Sequence, residues 1–413
     1  MIKPAELEKF SAEVSEHLFG HYLPFWCGPA LDHEKGGWMA WLSNDLQPDR
    51  SQPKGLIVNA RILWAFSAVH RVRPKPVYFE MAERAFDFVM NKFWDAQHGG
   101  AVWRLDDAGK VIDDSKKTYG QAFYIYALTE FHLAFGSSAA LERAKELFEL
   151  IERHAHDAQF GGYFEVCNRD WSPAGADARL SEKDMSEKKS MNNHLHVLEA
   201  YTNLYRVWRE PRVAQRLREL IGVFLARIVD AQTKHLHHFF NEEWEVRSDT
   251  YTFGHDIEAS WLLCEAAELL DDVKLLDQVR AVAVQMAGVV FNEGFGADGG
   301  LCYEGRAGQI IDAGRECWPQ AEALVGFLNA FELSGHQAFL ASAVQTWKFI
   351  EEYLVDRTHG EWFWRINPEG RPDPKLPKVS EWKGPYHATR AGLETLRRLQ
   401  SISTSNKSAG TVL

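Results

Sequence analysis

"DAQHGGAVW" (residues 95–103) and "DAQFGGYF" (residues 157–164) are one phrase written twice: an aspartate, a glycine pair, then an aromatic residue. Another copy, "DHEKGGW", starts at Asp32, and weaker ones follow as "DAQTKHLHHFF" from Asp230, "GADGGLCYE" around Asp298 and "DRTHGEWFW" from Asp356. Six copies at intervals of 58 to 73 residues are the mark of a repeat architecture, and that period governs how each element is read. Paired glycines followed by aromatics predict a tight turn leading into a short strand or hairpin arm.

On either side of each turn lies a different kind of helix. The stretches before it, such as "FEMAERAFDFVMNKFW", "ALERAKELFELIERHA" and "VAQRLRELIGVFLARIVD", place apolar residues at three- and four-residue spacing with charges opposite. These read as outer, half-exposed helices, and "AELEKFSAEVSEHLF" is the first of them. The stretches after it are rich in alanine and aromatics and poor in charge: "VNARILWAFSAV", "YGQAFYIYALTEF", "NNHLHVLEAYTNLY", "FGHDIEASWLLCEAAELL", "CWPQAEALVGFLNAF" and "GPYHATRAGLETLRRL". They read as inner helices buried nearly all round. Strict alternation of six outer and six inner helices predicts an all-α fold, an (α/α)6 barrel with short hairpins and loops at one end. A closed ring is preferred over an open solenoid because the inner helices carry polar side chains at one end, which an enclosed mouth needs. Residues 1–400 are expected to form one catalytic domain, and the small, polar stretch 401–413 a flexible C-terminal tail.

Composition narrows the function. A chain of 413 residues, 46% hydrophobic and 25% charged, buries a large core, and its net charge of −12 repels phosphate backbones and anionic membranes. Nucleic acid and membrane partners are therefore not expected. Five cysteines without a CxxC give neither a disulfide framework nor a zinc ribbon, and no apolar run is long enough to cross a bilayer. The start "MIKPAELEKFSAEV" lacks the apolar stretch of a signal peptide, so a cytoplasmic protein is expected, as monomer or homodimer.

If the inner helices run in one direction, their N-terminal ends meet at one mouth. Read in order, those ends supply Arg61; Tyr119 and Gln121; Asn193 and His196; His255 and Glu258; Trp318 and Glu322; and Tyr386 and His387. Aromatics stack on the faces of sugar rings while polar groups fix hydroxyls, so a small carbohydrate is the expected partner. Histidine titrates near neutrality and can both take and return a proton. Two imidazoles on opposite faces of a ring-opened sugar could exchange the C2 proton through a cis-enediolate, with Arg61 and His196 meeting its negative oxygen. No cofactor is required. His194 points about 200° away from His196 on a helix and is assigned to packing or the rim.

A metal site is the other use of such residues, through "HLH", the run His235, His237 and His238, or the His255/Glu258 pair; pairs at i and i+3 also arise in hydrogen-bonded networks, and no metal is assigned. A glycoside hydrolase of this architecture would need two carboxylates flanking the scissile bond, whereas imidazoles dominate this mouth. A non-catalytic sugar-binding module would explain the aromatics but not the three histidines.

The phrases "NNHLHVLEAYTNLYR", "GHDIEASWLL", "CWPQAEALVGF" and "WKGPYH" give the chain a further reading. From Arg61 to His387 it resembles the N-acylglucosamine 2-epimerase superfamily, and within it the cellobiose 2-epimerases. The resemblance implies an (α/α)6 barrel that interconverts sugars epimeric at C2 without a cofactor. It implies proton exchange by His255 and His387, a holding or polarising role for His196, and positions near the C1 and C2 oxygens for Arg61 and Tyr119. Glu258 and Glu322 match supporting carboxylates, Trp261 and Trp318 match aromatics lining the site, and the last phrase adds Trp382 to the substrate-binding set.

One position departs from the pattern. Two adjacent tryptophans before "PQAEA" are expected of the cellobiose enzymes, and this chain has Cys317 followed by Trp318. Losing one indole removes a flat surface that could stack on a second sugar unit. A mannose 2-epimerase, or an aldose–ketose isomerase acting on a monosaccharide, is the alternative. The loop 168–189, with Trp171, is expected to cover the mouth in compensation.

Overall fold

A computed structural model of the chain describes residues 2–175 and 179–410, with side chains described to residue 404. In chain order the α-helices are α1 (Pro4–Glu16), α2 (Leu23–Trp26), α3 (Leu56–Val72), α4 (Pro76–Lys92), α5 (Thr118–Phe135), α6 (Ser138–His154), α7 (Met191–Val207), α8 (Pro211–Val223), α9 (Phe253–Glu268), α10 (Val273–Glu293), α11 (Cys317–Ser334), α12 (Gln337–Phe349) and α13 (Tyr386–Gly410). The odd-numbered helices from α3 to α13 form the inner ring. Each packs on the next, and α13 returns to α3, which closes the ring as the (α/α)6 barrel that the repeat predicts. Helices α1, α4, α6, α8, α10 and α12 wrap it.

The difference between the layers is visible in single helices. Every residue of α5 from Thr118 to Phe131 is buried. In α8 burial is confined to Val213, Ala214, Leu217, Leu220 and Ile221, the stripe of an amphipathic helix. Helix α13 runs on to Gly410, so the stretch expected to be a tail is helical over the residues described; residues 411–413 lie outside them.

Five of the six turn phrases fold alike, and the fifth is one residue shorter with Gly296 in the place of the opening aspartate. Each is closed by a single antiparallel bridge: Leu31–Trp38, Trp94–Ala101, His156–Tyr163, Val229–Leu236, Phe295–Leu301 and Val355–Trp362. The aspartate that opens the phrase accepts backbone N–H groups of its own turn, as Asp95 does from Gln97 and His98 at 3.0 and 3.3 Å. In four repeats its second oxygen accepts from a buried lysine: Lys54 on Asp32, Lys116 on Asp95 and Lys189 on Asp157, each just ahead of an inner helix, and Lys378 on Asp356, separated from α13 by a loop, at 2.6 to 3.2 Å. A buried pair of this kind is destabilising when only one partner is removed, so the first three lysines lock their turns onto the helices they feed. Gly100 and Gly162 sit at φ +74° and +78°, and a Cβ on either would fall 2.5 Å from the indole of Trp171 or Trp244.

Trp171 does not cover the mouth. Its ring stacks on His154 at 5.5 Å, and its Nε1 donates to the carbonyls of His98 and Gly99 at 3.2 and 3.3 Å, so it seals the turn at Gly100. The loop still borders the mouth, through Leu180, Lys183, Asp184 and Met185.

Candidate active site

Helix α11 begins at Cys317, so Trp318 is its second residue, and the indole of Trp318 stands between two histidines. Its centroid is 4.6 Å from His255, the third residue of α9, and 5.7 Å from His387, the second residue of α13. The rings belong to three successive inner helices, and repeat geometry alone brings them to one spot. Both imidazoles sit in surroundings that depress their basicity: burial, then the neighbouring histidines for His255, and burial, then Arg61 and Arg390 for His387, hold each well below the usual histidine value. Both are neutral at pH 7.

Their Nδ1 atoms are held differently. His387 Nδ1 lies 2.6 Å from Glu322 Oε1, and His255 Nδ1 lies 2.6 Å from the hydroxyl of Thr252. In each case Nε2 has no partner among the described residues and is left for the cavity.

Across from this pair, Arg61 reaches over from α3. Its Nη2 donates to Tyr119 Oη at 2.9 Å and its Nη1 to the carbonyl of Trp382 at 3.0 Å, with the guanidinium 4.5 Å from the centre of the Phe123 ring. His196 packs edge-on against Tyr119 at 4.9 Å and is fixed through Nδ1 by Glu199 Oε2 at 2.9 Å. Burial lowers His196 too, so it is neutral, with Nε2 on the far side of the ring from Glu199. Trp382, on the loop ahead of α13, stands 6.2 Å from Tyr119 and 5.9 Å from Trp103.

Beneath the imidazoles lies a buried charge cluster in which the sequence reading named Glu258 and Glu322 and missed Arg390 and Glu199. The guanidinium of Arg390 donates to Glu199, to the Tyr386 hydroxyl, to Glu258 at 2.6 Å and to Glu322 at 2.7 Å, and it is flanked by the rings of Tyr386 and Trp261 at 4.4 and 4.7 Å. Trp261 Nε1 adds a donor to Glu322 Oε2 at 3.1 Å. Burial alone would raise the Glu199 carboxyl, but Arg390, His196 and Tyr386 hold it down at about 2. Glu258 is pushed well above the carboxylate range by burial and by Glu322, and its Oε2 is buried without a partner. Glu258, Glu322 and His387 bring ligand-type atoms within 4.8 Å of one another, the one such grouping among the described residues. Arg390 already supplies positive charge there, bonded to both carboxylates. The spacing that could have signalled this layer is present in the sequence: Glu199 follows His196 by three residues and Arg390 follows His387 by three, one helical turn in each case.

Two expected members of the site are turned away from it. Gln121 clamps the turn of the second repeat, accepting from Ala101 N at 2.8 Å and donating to Ala101 O at 2.8 Å. Asn193 directs Nδ2 toward the carbonyls of Tyr163 and Phe164 at 3.4 and 3.5 Å, while its neighbour Asn192 lines the cleft beside His255. His194 is committed at both nitrogens, to Ser190 O at 2.6 Å and Tyr163 N at 2.8 Å, as its assignment to packing requires. Of the "HLHH" run, His235 is held by Asp256 and Glu293 at 2.7 and 3.1 Å, whereas His238 lines the cleft 5.8 Å from His255.

Comparison with known proteins shows the family to which the chain belongs. The family model described as N-acylglucosamine 2-epimerase matches residues 37–391. The chain belongs to the N-acylglucosamine 2-epimerase family. Among characterised relatives it is 41% identical to a cellobiose 2-epimerase of Bacteroides fragilis, over 94% of this chain and 99% of that one. It is 36% identical to one of Dictyoglomus turgidum, over 95% and 100%. The solved cellobiose 2-epimerase of Spirochaeta thermophila superposes with a TM-score of 0.88 at 40% identity, covering 96% of this chain and 98% of the other. The family match spans every site residue named above.

Proposed function

We propose that the protein is a cofactor-independent sugar 2-epimerase acting on the reducing-end unit of a β-1,4-linked disaccharide of the cellobiose type. The observation that carries this reading is the pair of neutral, half-buried imidazoles, His255 and His387, each with Nδ1 occupied and Nε2 free, meeting at Trp318. A neutral imidazole with a bare Nε2 is the form able to act as a base.

With the sugar ring open, one imidazole takes the proton from C2. The C–H electron pair becomes the C1–C2 double bond, and the carbonyl π pair moves to O1, giving a cis-enediolate. Arg61 and the Tyr119 hydroxyl that accepts from its Nη2 lie together as donors where that oxygen would be met, and His196 beside them offers its bare Nε2 to a sugar hydroxyl. The second imidazole, having first taken up a proton from solvent at its Nε2, delivers it to the other face of C2, O1 returns its pair to re-form the aldehyde, and the first imidazole releases the abstracted proton to solvent. Which of His255 and His387 begins depends on direction, because the same site runs both ways. Arg390 and its three carboxylates fix the orientation of His387 and His196 from below.

Two features support a disaccharide. A cleft of about 560 Å³ lined by His255, Asn192, Tyr303 and Arg247 offers room for a second unit. At the position of the missing indole, Cys317 is tucked beside Lys383 and Glu361, its thiol raised to about 12 by burial. The indole of Trp364 joins Trp318 at the Glu316 carboxylate, at 3.4 and 3.1 Å, so a second flat surface stands close by. All five cysteines are free thiols, which supports placement in a reducing compartment such as the cytoplasm.

Incubation with cellobiose, and separately with mannose, in heavy water tests the reading. Deuterium at C2 of a glucosyl-mannose product is expected. A ketose product would make the protein an isomerase, turnover of mannose alone would make it a monosaccharide enzyme, and no exchange from either sugar would overturn enediolate chemistry.

A further inference from the structure

We propose that Thr252 and His238 are positioning residues that fix the tautomer of His255, leaving its Nε2 as the bare, proton-accepting nitrogen; this rests on the reading of His255 as a proton-exchanging group.

The first observation is a hydroxyl diverted from its ordinary task. Thr252 immediately precedes α9, where a threonine side chain normally accepts a backbone N–H of the first helical turn. Ser190, at the same place in the preceding repeat, does so, accepting from Asn193 N at 3.1 Å. Thr252 makes no such bond. Its Oγ1 turns to His255 Nδ1 at 2.6 Å.

The second observation sets the polarity of that contact. His238 Nε2 accepts the backbone N–H of Thr252 at 3.2 Å, so this nitrogen presents its lone pair and the ring hydrogen of His238 is on Nδ1. The same Nε2 lies 3.5 Å from Thr252 Oγ1, so its one lone pair can be shared, as a three-centre acceptor, between the backbone N–H and the threonine hydroxyl hydrogen. With its hydrogen turned to His238, Oγ1 offers lone pairs to His255 and accepts from Nδ1–H. The single hydrogen of neutral His255 is thereby held on Nδ1, and Nε2 faces the cavity bare.

Glu322 does the same for His387, with one difference. A carboxylate stabilises the imidazolium that forms after proton abstraction, and a hydroxyl does not. The proton gained by His255 is accordingly the more readily surrendered, while His387 is the better place to hold one. The two imidazoles offer the same nitrogen but are unequal proton stores.

The test uses full-length protein labelled with ¹⁵N-histidine, with His255→Gln assigning the resonances. In resting wild-type protein without sugar, His255 Nε2 is expected in the unprotonated range. Thr252→Val, which keeps the shape and removes the hydroxyl, should move hydrogen onto Nε2 and lower kcat on cellobiose by on the order of 10²-fold with little change in KM. Thr252→Ser should restore both signals. Wild-type His255 protonated at Nε2, or a folded Thr252→Val enzyme with unaltered kcat and an unaltered spectrum, would overturn the proposal. The tautomer is read without substrate, so a protein with the expected spectrum that fails to exchange the C2 proton of cellobiose would refute the epimerase reading and leave the tautomer assignment standing.

Discussion

Two rows of side chains on the same inner helices do opposite work. The fourth residues of α5, α7, α9 and α11 are Gln121, His194, Asp256 and Gln320. Each bonds the backbone of a turn, at Ala101, Tyr163, Leu236 and Leu301, with N–H contacts of 2.6 to 2.9 Å. The sixth residues are Phe123, His196, Glu258 and Glu322, and on α3 Arg61; these pack together around and beneath the candidate site. Two residues along a helix is a rotation of about 200°, so the rows face opposite ways from one backbone. Scaffold and chemistry are separated by angle, not by distance along the chain.

Helix α11 allows the sharpest break between the rows. Glu322→Gln removes the charge behind His387 Nδ1 and one acceptor of Arg390, so kcat should fall by roughly 10² to 10³-fold while the folded protein persists. Steady-state kinetics beside a thermal melt will show whether activity falls far more than stability. Two residues earlier, Gln320→Ala strips the Leu301 backbone of both its side-chain partners. The expected cost is about 1–3 kcal/mol of stability, with kcat per folded molecule unchanged. Equal effects of the two substitutions on kcat would abolish the distinction.

The fourth row also carries a pH dependence of its own. Burial depresses His194 to about 4, so between pH 6.5 and about 4 the unfolded chain takes up a proton that the folded chain refuses. Stability therefore falls as pH falls through that window, and the depressed His238 and His255 act with the same sign. Repeats with Gln121 and Gln320 at this position show that an amide serves the same bond. His194→Gln should retain the contact with Tyr163 and flatten the decline in melting temperature between pH 7 and pH 5. An unchanged slope would mean that His194 is not one of the groups responsible.

The rows explain what the sequence disclosed and what it concealed. Turns and helix alternation were legible because glycine pairs and amphipathic stripes recur with the repeat. Rotation of the inner helices was not, because a helix buried on all sides has no polar face to mark inside from outside. Gln121 and Asn193 were therefore placed in the mouth by their nearness to helix starts, although Gln121 belongs to the scaffold row and Asn192 is the asparagine that lines the cleft. His255 and His387 were singled out because histidines recur at matching starts of the inner helices, where one helix alone gives no reason for them. Glu199 and Arg390 stand one turn further in, three residues after His196 and His387. His238 was hidden for another reason: its link to His255 crosses from a turn to a helix through Thr252, and no local spacing records it.

Trp382 belongs to neither row, and this gives the mildest prediction. The sixth repeat inserts a loop between Lys378 and α13, so Trp382 is set by contacts on either side of it. Glu381 accepts a bidentate pair from Arg104 at 2.7 and 2.7 Å, Lys383 is buried on Glu361, and the Trp382 carbonyl accepts from Arg61. Arg104 and Glu381 remain partly exposed, at 29% and 20%, so solvent screens their attraction to about 0.5–1 kcal/mol. Glu381→Gln keeps the shape of the contact and removes its charge. The loop should loosen without unfolding, raising KM for cellobiose about two- to fivefold at unchanged kcat. Added salt distinguishes this cause from a direct loss of substrate contact: wild-type KM should climb toward that of the variant as ionic strength rises, while the variant's own KM stays nearly level. A variant KM equal to wild type at low salt would show that Arg61 and Lys383 hold Trp382 without help from Arg104, and the loop would then be anchored from the barrel side alone.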